Sequence, residues 1–486
     1  MGKRGLRLIT LAAIPVLVLS ACSTATSTAG PSATDQASTG ASAAPSVAVT
    51  LPGTVKWFVG LGSGTQPNQI ADQNAFVANY NKTNKDGITI KLDIEPNATA
   101  NAILKTDIVA GNIPDIIGPV GTAGRVEFQS QFLDLTTEIA KNNYNLKAFP
   151  DALVKFFNNA ESGQFGIPYD VFPGYIWYNK DSFAKAGLPA LPTTVGAQYE
   201  GKTWDWAELG TIAAQLTLDK NNKKSTDAGF DKTNIVKYGM DFQWCDGRRI
   251  ASLFGGGSFV DTDGHTAVIP AAWSDAFNWY YDAIWKGNYV PNGAALASAL
   301  LGSSNGQSSG NVAMNAAWGW SIGSIWDGTT KTAKMKNWDM GVIPSWKGTT
   351  TSPLDSDTFV ITKSSKNQDA AFKAMVAIEA DKTLMADYGG EPAVTADQAA
   401  YYTAFDATMA PIFSGNKVTW SVLGEMLKYP AVPSHEALMP ANKQAIDDYT
   451  AFMSKLNAKS GLDVNAELVT LQKTLQTDFN TVQPLT

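Results

Sequence analysis

The sequence predicts an α/β protein whose first part is a parallel, doubly wound sheet. Three observations carry this. Short apolar runs alternate at strand spacing, helical periodicity separates them, and Gly or Pro marks the boundaries. Thr54–Val59 reads as the first strand, and Gly60, Gly62 and Gly64 follow as a loop. Pro67 suits a first helical turn, with Ile70, Val77 and Tyr80 recurring near helical spacing. Ile88, Ile90, Leu92 and Ile94 alternate as a second strand, and Pro96 breaks it. Residues 98–110 read as a helix with Ile103, Leu104 and Ile108 on one face, ended by Gly111-Asn112. Pro114-Asp115-Ile116-Ile117 begins a third strand. In such sheets ligands sit beyond the carboxyl ends of the strands. That draws attention to loops 60–65 and 118–121, where Gly62 and Gly118 could admit a ligand to backbone amides. The loop Gly60-Leu61-Gly62-Ser63-Gly64 has no GxGxxG, and no GKS or GKT follows, so it does not read as a phosphate cradle.

The alternation continues. Trp204-Asp205-Trp206-Ala207-Glu208-Leu209 opens a helix, with Asp205 as cap and Glu208 at capping-box spacing. Asp261-Thr262-Asp263-Gly264 predicts a hairpin turn; the other ligands of a calcium loop and its closing Glu are missing. Ala271–Trp285 is amphipathic, with Trp273, Phe277, Tyr281 and Ile284 along one side. Two helices close the chain, marked by Ile446, Tyr449, Met453 and Leu456, then by Leu468, Leu471, Leu475 and Phe479.

Composition narrows the class. The 486 residues exceed one ordinary domain, and 44% apolar residues supply a real core. Thirty-seven basic against 44 acidic residues give −7, which argues against a nucleic-acid partner. Two His exclude a multi-His metal site, and no cofactor or metal is expected. Two Cys, Cys22 and Cys245, cannot make a disulfide framework.

Lys3, Arg4 and Arg7 precede an uncharged run over residues 8–19, too short to span a bilayer, which needs about 20 residues. Residues 1–21 therefore read as a signal peptide. Of the next 29 residues, 22–50, 24 are Ser, Thr, Ala, Gly or Pro, a composition that cannot bury a core. They read as a flexible tether with a reach of roughly 30 Å. Cys245 is expected to be a buried structural thiol.

Several motifs, in order, resemble one family. The most specific is Gly166-Ile167-Pro168-Tyr169-Asp170 followed by Trp177-Tyr178-Asn179-Lys180-Asp181-Ser182-Phe183 and Ala186-Gly187-Leu188. Ala110-Gly111-Asn112-Ile113-Pro114-Asp115, Trp204 to Leu209, Gly310-Asn311-Val312-Ala313-Met314 with Trp318 and Trp320, and Ala370-Ala371-Phe372 add to it. Together they resemble the extracellular sugar-binding lipoproteins of ABC importers, the maltose-binding-protein-like family of solute-binding proteins. Leu19-Ser20-Ala21-Cys22 resembles their lipobox, which implies cleavage before Cys22 and a lipid on its sulfur. The resemblance implies a two-lobed fold of the type II periplasmic-binding-protein kind, each lobe a doubly wound sheet flanked by helices. It places 51–171 with 358–405 in one lobe and 172–357 with 406–486 in the other. It implies a monomer on the outer face of the cell membrane, with a sugar ligand, a membrane permease as partner, and hinge closure around the ligand.

A sugar site needs flat aromatics for C–H faces and amides or carboxylates for hydroxyls. Most of the 14 Trp lie between Trp177 and Trp338. Trp279 and Trp285 sit in a helical pattern and read as core. Trp318 and Trp320 share the stretch where the family places a stacking residue, and in an extended chain their spacing would point one outward and one inward. Trp244 aligns with another family aromatic. Asp170, Asp355 and Asp357 are the hydroxyl candidates, the last two just before the apparent return strand Thr358–Ile361. The competing class is a secreted glycoside hydrolase, which also needs two carboxylates. No hydrolase motif or catalytic triad is present, so binding without turnover is expected.

Overall fold

The computed structural model describes residues 53–483, apart from 160–161, 243–246, 303–305, 328–329 and 331. Cys22, the leader and tether, Trp244 and Cys245 lie outside the described residues. Among the described residues no helix is long and apolar enough to cross a membrane.

Two sheets organise residues 53–483. In the first, Thr54–Val59 lies parallel to Thr89–Ile94, in register from Thr54↔Thr89 to Val59↔Ile94, and parallel to Ile116–Val120 on its other side. Alternation along the central strand loads both faces. Val55, Trp57 and Val59 join Phe372 and Met375 of the helix Gln368–Glu379, while Phe58 joins Ala100 and Leu104 of the helix Asn97–Ala110. Gly111 closes the latter helix in the left-handed conformation at φ 75°.

The helix Pro67–Thr83 departs from the expected pattern. Ile70 is exposed, and Gln69 and Gln73 are buried instead. Their amides serve the glycine loop: Gly64 N–H donates to Gln69 Oε1 at 2.9 Å, and Gln73 Nε2 donates to Gly64 O at 2.7 Å. A helix facing exposed backbone must satisfy hydrogen bonds before it buries methyl groups.

The first sheet is mixed rather than wholly parallel. Thr358–Ile361 adds antiparallel to Ile116–Val120, and Ile167–Pro168 adds beyond it. The second sheet runs Leu218–Asp219, Ile235–Phe242, Val312–Trp318, Asp170–Asn179, Trp338–Gly341. Among the described residues its one parallel pair is Ile235–Phe242 with Val312–Trp318; the long strand Asp170–Asn179 is antiparallel to Val312–Trp318 and to Trp338–Gly341. Its core takes in Trp273, Phe277, Tyr281 and Ile284 as spaced, with Tyr449, Met453, Leu456, Leu468, Leu471, Leu475 and Phe479 of the last two helices. Trp279 and Trp285 pack on this core half-buried. Asp205 caps its helix, accepting from Glu208 N–H at 2.9 Å, but the Glu208 carboxylate turns to Lys202 at 3.0 Å, so no capping box forms. Residues 261–264 turn the chain between the antiparallel bridge partners Val260 and Ala267.

Three segments pass between the sheets. Ile167–Pro168 belongs to the first, and the next strand, Asp170–Asn179, to the second. Leu354–Asp355 pairs with Phe172 and Pro173, and the chain then enters Thr358–Ile361 in the first sheet. Glu391–Pro392 pairs with Val171 and Asp170. We call the two sheets with their helices the first and second lobe.

Candidate functional site

The crossings converge on Asp170 and on residues 355–357. Ser356 Oγ donates to Asp170 O at 2.6 Å, and Asp357 N–H donates to Asp170 Oδ1 at 3.1 Å. Asp170 is fully buried, and its Oδ2 has no hydrogen-bond partner. Burial, reinforced by the charge of Asp357, raises its pKa well above the ordinary carboxyl range. Asp170 therefore ties two crossing segments together. Backbone thus takes one of the two oxygens of this candidate hydroxyl acceptor.

Asp355 holds a charged cluster. Arg249 Nη2 donates to its Oδ1 at 3.0 Å and Oδ2 at 2.9 Å. Trp320 Nε1 donates to Oδ2 at 2.9 Å, and His435 Nε2 lies 2.8 Å from Oδ1. Burial alone would raise the Asp355 pKa, but the Arg249 charge and the bonds from His435 and Trp320 hold it well below the ordinary value. Arg249 sits in the short helix Gly247–Ser252, which follows the carboxyl end of Ile235–Phe242.

Trp318 and Trp320 do not point to opposite sides. Their rings stack with centroids 6.3 Å apart and planes 8° from parallel, because the chain leaves the strand at Trp318 and turns as a 3-10 helix over Gly319–Ser324. Trp318 is fully buried, bonds Pro353 O at 3.3 Å, and has the Arg249 guanidinium 5.1 Å from its ring. It packs as core, and Trp320 stacks on it half-buried.

Asp357 faces the other lobe's loops. A Cβ built on Gly62 would lie 3.0 Å from Asp357 Oδ2, and one on Gly121 would lie 3.1 Å from Oδ1. The same Cβ on Gly62 would sit 2.7 Å from Pro119 O, so this glycine is needed for close packing around the carboxyl. Burial, then the nearby charge of Glu436, push the Asp357 pKa up to about 7, against the pull of Arg125. Gly118 is a packing glycine. A Cβ there would lie 2.4 Å from the Phe359 ring, and its carbonyl accepts from Trp57 Nε1 at 2.7 Å. It does not open backbone to a ligand.

Sequence reasoning missed four participants: Arg125, Arg249, His435 and Glu436. Arg125, from the helix Thr122–Phe128 of the first lobe, reaches Glu436 at 2.6 Å, and its guanidinium lies 4.4 Å from the Phe156 ring centroid. Glu436 belongs to a segment held on the second lobe, where Arg248 donates to Ala437 O at 2.7 Å. No spacing signalled these residues, which come together only through the fold. Donor atoms of Asp355, His435 and Glu436 lie within 4.8 Å of one another. Arg249 and Arg125 already neutralise the two carboxylates, so the trio does not fit a metal ion. Two cavities of ≈640 and ≈600 Å³, one beside Trp279 and Tyr289 and one beside Tyr169 and Tyr401, do not border this cluster.

Comparison with known proteins places this geometry. A family model described as bacterial extracellular solute-binding protein matches residues 63–385. The putative ABC transporter periplasmic-binding protein YcjN of Escherichia coli K12 is 28% identical over 167 residues, 33% of this chain and 35% of that protein. The match thus spans about a third of that relative. Among solved structures, the ABC substrate-binding protein Lmo0181 of Listeria monocytogenes, in complex with cycloalternan, superposes with a TM-score of 0.64 at 17% identity, covering 88% of this chain and 98% of that one. The cyclic alpha-maltosyl-1,6-maltose binding protein of Arthrobacter globiformis gives 0.65 at 15% identity, with 89% and 100% coverage. The GacH receptor of Streptomyces glaucescens, solved unliganded and with acarbose, gives 0.62 at 16%, with 89% and 100%. At such identities these structures establish a shared fold.

Proposed function

This chain belongs to the bacterial extracellular solute-binding proteins, and on that premise we propose that it is the extracytoplasmic binding lipoprotein of an ABC importer. It captures a sugar or oligosaccharide between its lobes and delivers it to the membrane permease. The observation that carries this reading is the grouping of Trp320 with Asp355, Arg249 and His435 on one lobe, facing Asp357, Gly62 and Arg125 at the junction with the other. An indole offers a flat apolar face for a pyranose ring, and paired charged groups exchange bonds with hydroxyls. Separation of the lobes breaks the Arg125–Glu436 pair and opens the cluster; a ligand that bonds to both sides favours reclosure. The oligosaccharides named for the Listeria and Arthrobacter proteins support a carbohydrate ligand here. The lipobox-like Leu-Ser-Ala-Cys22 and the polar tether support a lipid anchor, and Trp244 remains a candidate second aromatic.

One observation favours a second reading. Asp355 is held low and Asp357 high, the split that lets two carboxyls act as base and acid in a glycoside hydrolase. The family to which the chain belongs is one of binding proteins, which favours the first. A thermal-shift screen of mono- and oligosaccharides tests both, because a ligand that binds only the folded state raises the melting temperature. Recovery of the bound sugar unchanged supports the binding protein. Release of shorter sugars beyond the protein's own stoichiometry supports the hydrolase. No shift with any carbohydrate removes both.

A further inference from the structure

Away from the Asp355 cluster, the cavity of ≈600 Å³ beside Tyr169 is walled by both lobes. Tyr144 and Met385 reach it from the core of the first lobe, and Tyr401 and Phe405 of the helix Gln398–Met409 from that of the second. Phe405 packs edge-on against Trp420 with ring centroids 4.8 Å apart, which fixes this helix to the second lobe. Tyr169 of one crossing and Pro392 of another lie between the two walls. Both carboxyl oxygens of Glu379, which also lines the cavity, are buried, and among the described residues neither has a hydrogen-bond partner. The Tyr169 hydroxyl is likewise buried and unpartnered, in a residue 3% exposed. The other charged groups of the wall are occupied or open to water. Asp381 caps the helix Lys382–Tyr388, accepting from Thr383 and Leu384 N–H, while Lys382 and Asp397 are exposed.

We propose that this cavity is a second ligand site, separate from the cleft, for a small uncharged molecule with an aromatic body and a carboxamide end held by Glu379 and Tyr169. The volume lies in the range of small-molecule sites, about 300–1,000 Å³. Buried polar groups need partners, and Glu379 and Tyr169 are without them inside a wall of aromatic and aliphatic side chains. Burial raises the pKa of Glu379 well above the ordinary carboxyl range, so the group is neutral and presents an O–H donor beside an acceptor oxygen. A carboxamide is its complement. The amide carbonyl accepts from the Glu379 O–H, an amide N–H donates to the other Glu379 oxygen, and the remaining capacity meets the Tyr169 hydroxyl. A carboxylate would bury a negative charge with no cation at the site, and an ammonium would require Glu379 to ionise within the wall. Because the walls belong to both lobes, a molecule seated here favours the arrangement in which Arg125 meets Glu436. The site stands on the cavity alone, whereas this coupling rests on the reading of hinged lobes.

Ligand-observed NMR titration of the full chain tests this with phenylacetamide, phenylacetate and phenethylamine, which share an aromatic body and differ in charge. Phenylacetamide should bind roughly tenfold more tightly than either charged probe. Glu379→Leu should weaken it by about the same factor. Ala404→Trp, which places a ring in the cavity from an exposed position of the helix Gln398–Met409, should abolish binding. Melting temperatures report whether the variants fold, and the ranking of probes by the wild type stands without them. Equal or tighter binding of a charged probe overturns the uncharged class. Full phenylacetamide affinity in folded Glu379→Leu overturns the role of that carboxyl, and full affinity in folded Ala404→Trp places the probe elsewhere and overturns the site. Binding of no probe at millimolar concentration leaves a water-filled cavity and also overturns it. In small-angle scattering, saturating phenylacetamide should reduce the radius of gyration of the sugar-free protein. An unchanged radius with the probe bound removes the coupling to the lobes and leaves the site, and none of these outcomes bears on sugar binding in the cleft.

Discussion

Arg125 and Glu436 are 311 residues apart in sequence, lie on different lobes, and meet at 2.6 Å with both side chains nearly buried. The contact joins the lobes at the mouth of the charged cluster. Removing one partner of such a pair leaves the other charge buried, at a cost of about 3–5 kcal/mol to the closed arrangement. Arg125→Gln should therefore enlarge the radius of gyration of the ligand-free protein in small-angle scattering. The charge-reversed pair Arg125→Glu with Glu436→Arg should restore part of the compaction. Unchanged scattering in Arg125→Gln would show that other contacts hold the lobes together.

The stacked indoles should separate by role. Trp320→Ala removes a ring able to cover roughly 80 Å² of sugar, worth about 2 kcal/mol or some thirtyfold in affinity. The melting temperature of the unliganded protein should change little. Trp318→Ala opens the core and should destabilise the fold by about 3–5 kcal/mol. Titration and thermal melting of the two variants check this. A larger stability loss at Trp320 than at Trp318 would reverse the assignment.

Stability should fall as pH rises across neutrality. Burial raises Asp241 and Asp357 to about 7 and Glu391 to about 8. A carboxyl whose folded pKa lies above its unfolded value binds its proton more tightly in the fold. Its contribution is complete below the unfolded value, near 4, and is lost as pH passes through the folded value. The melting temperature should thus be highest near pH 5 and decline toward pH 8, by an amount equivalent to several kcal/mol at most. Asp241→Asn, which cannot ionise, should flatten part of that slope. A melting temperature that climbs from pH 5 to pH 8 would contradict the assignment.

Membrane retention tests the anchor. Cys22→Ala should leave the protein unprocessed or shed it into the medium, while its ligand affinity stays that of the wild type. Normal retention of the processed variant in the membrane fraction would remove lipidation from the proposal.

The sequence by itself determined the local elements. Side-chain alternation placed Thr54–Val59, and 3.6-residue spacing placed Ala271–Trp285 with the buried stripe it has, because backbone geometry alone decides which neighbours share a face. Ordered motifs likewise pointed to the family that the match over residues 63–385 establishes. Position relative to the return strand brought out Asp355 and Asp357, but not what surrounds them. Only the tertiary structure decided that Asp170 bonds backbone, that Gly118 packs on Phe359, and that Trp318 lies beneath Trp320. The aromatic spacing misled because the strand ends at Trp318, and the following turn brings both rings to the same side. Arg125, Arg249, His435 and Glu436 carried no sequence signal, since an isolated charge is ordinarily a solvated one. Their meaning comes from burial and pairing across hundreds of residues. Those are properties of three crossing segments brought into contact, which no local periodicity encodes.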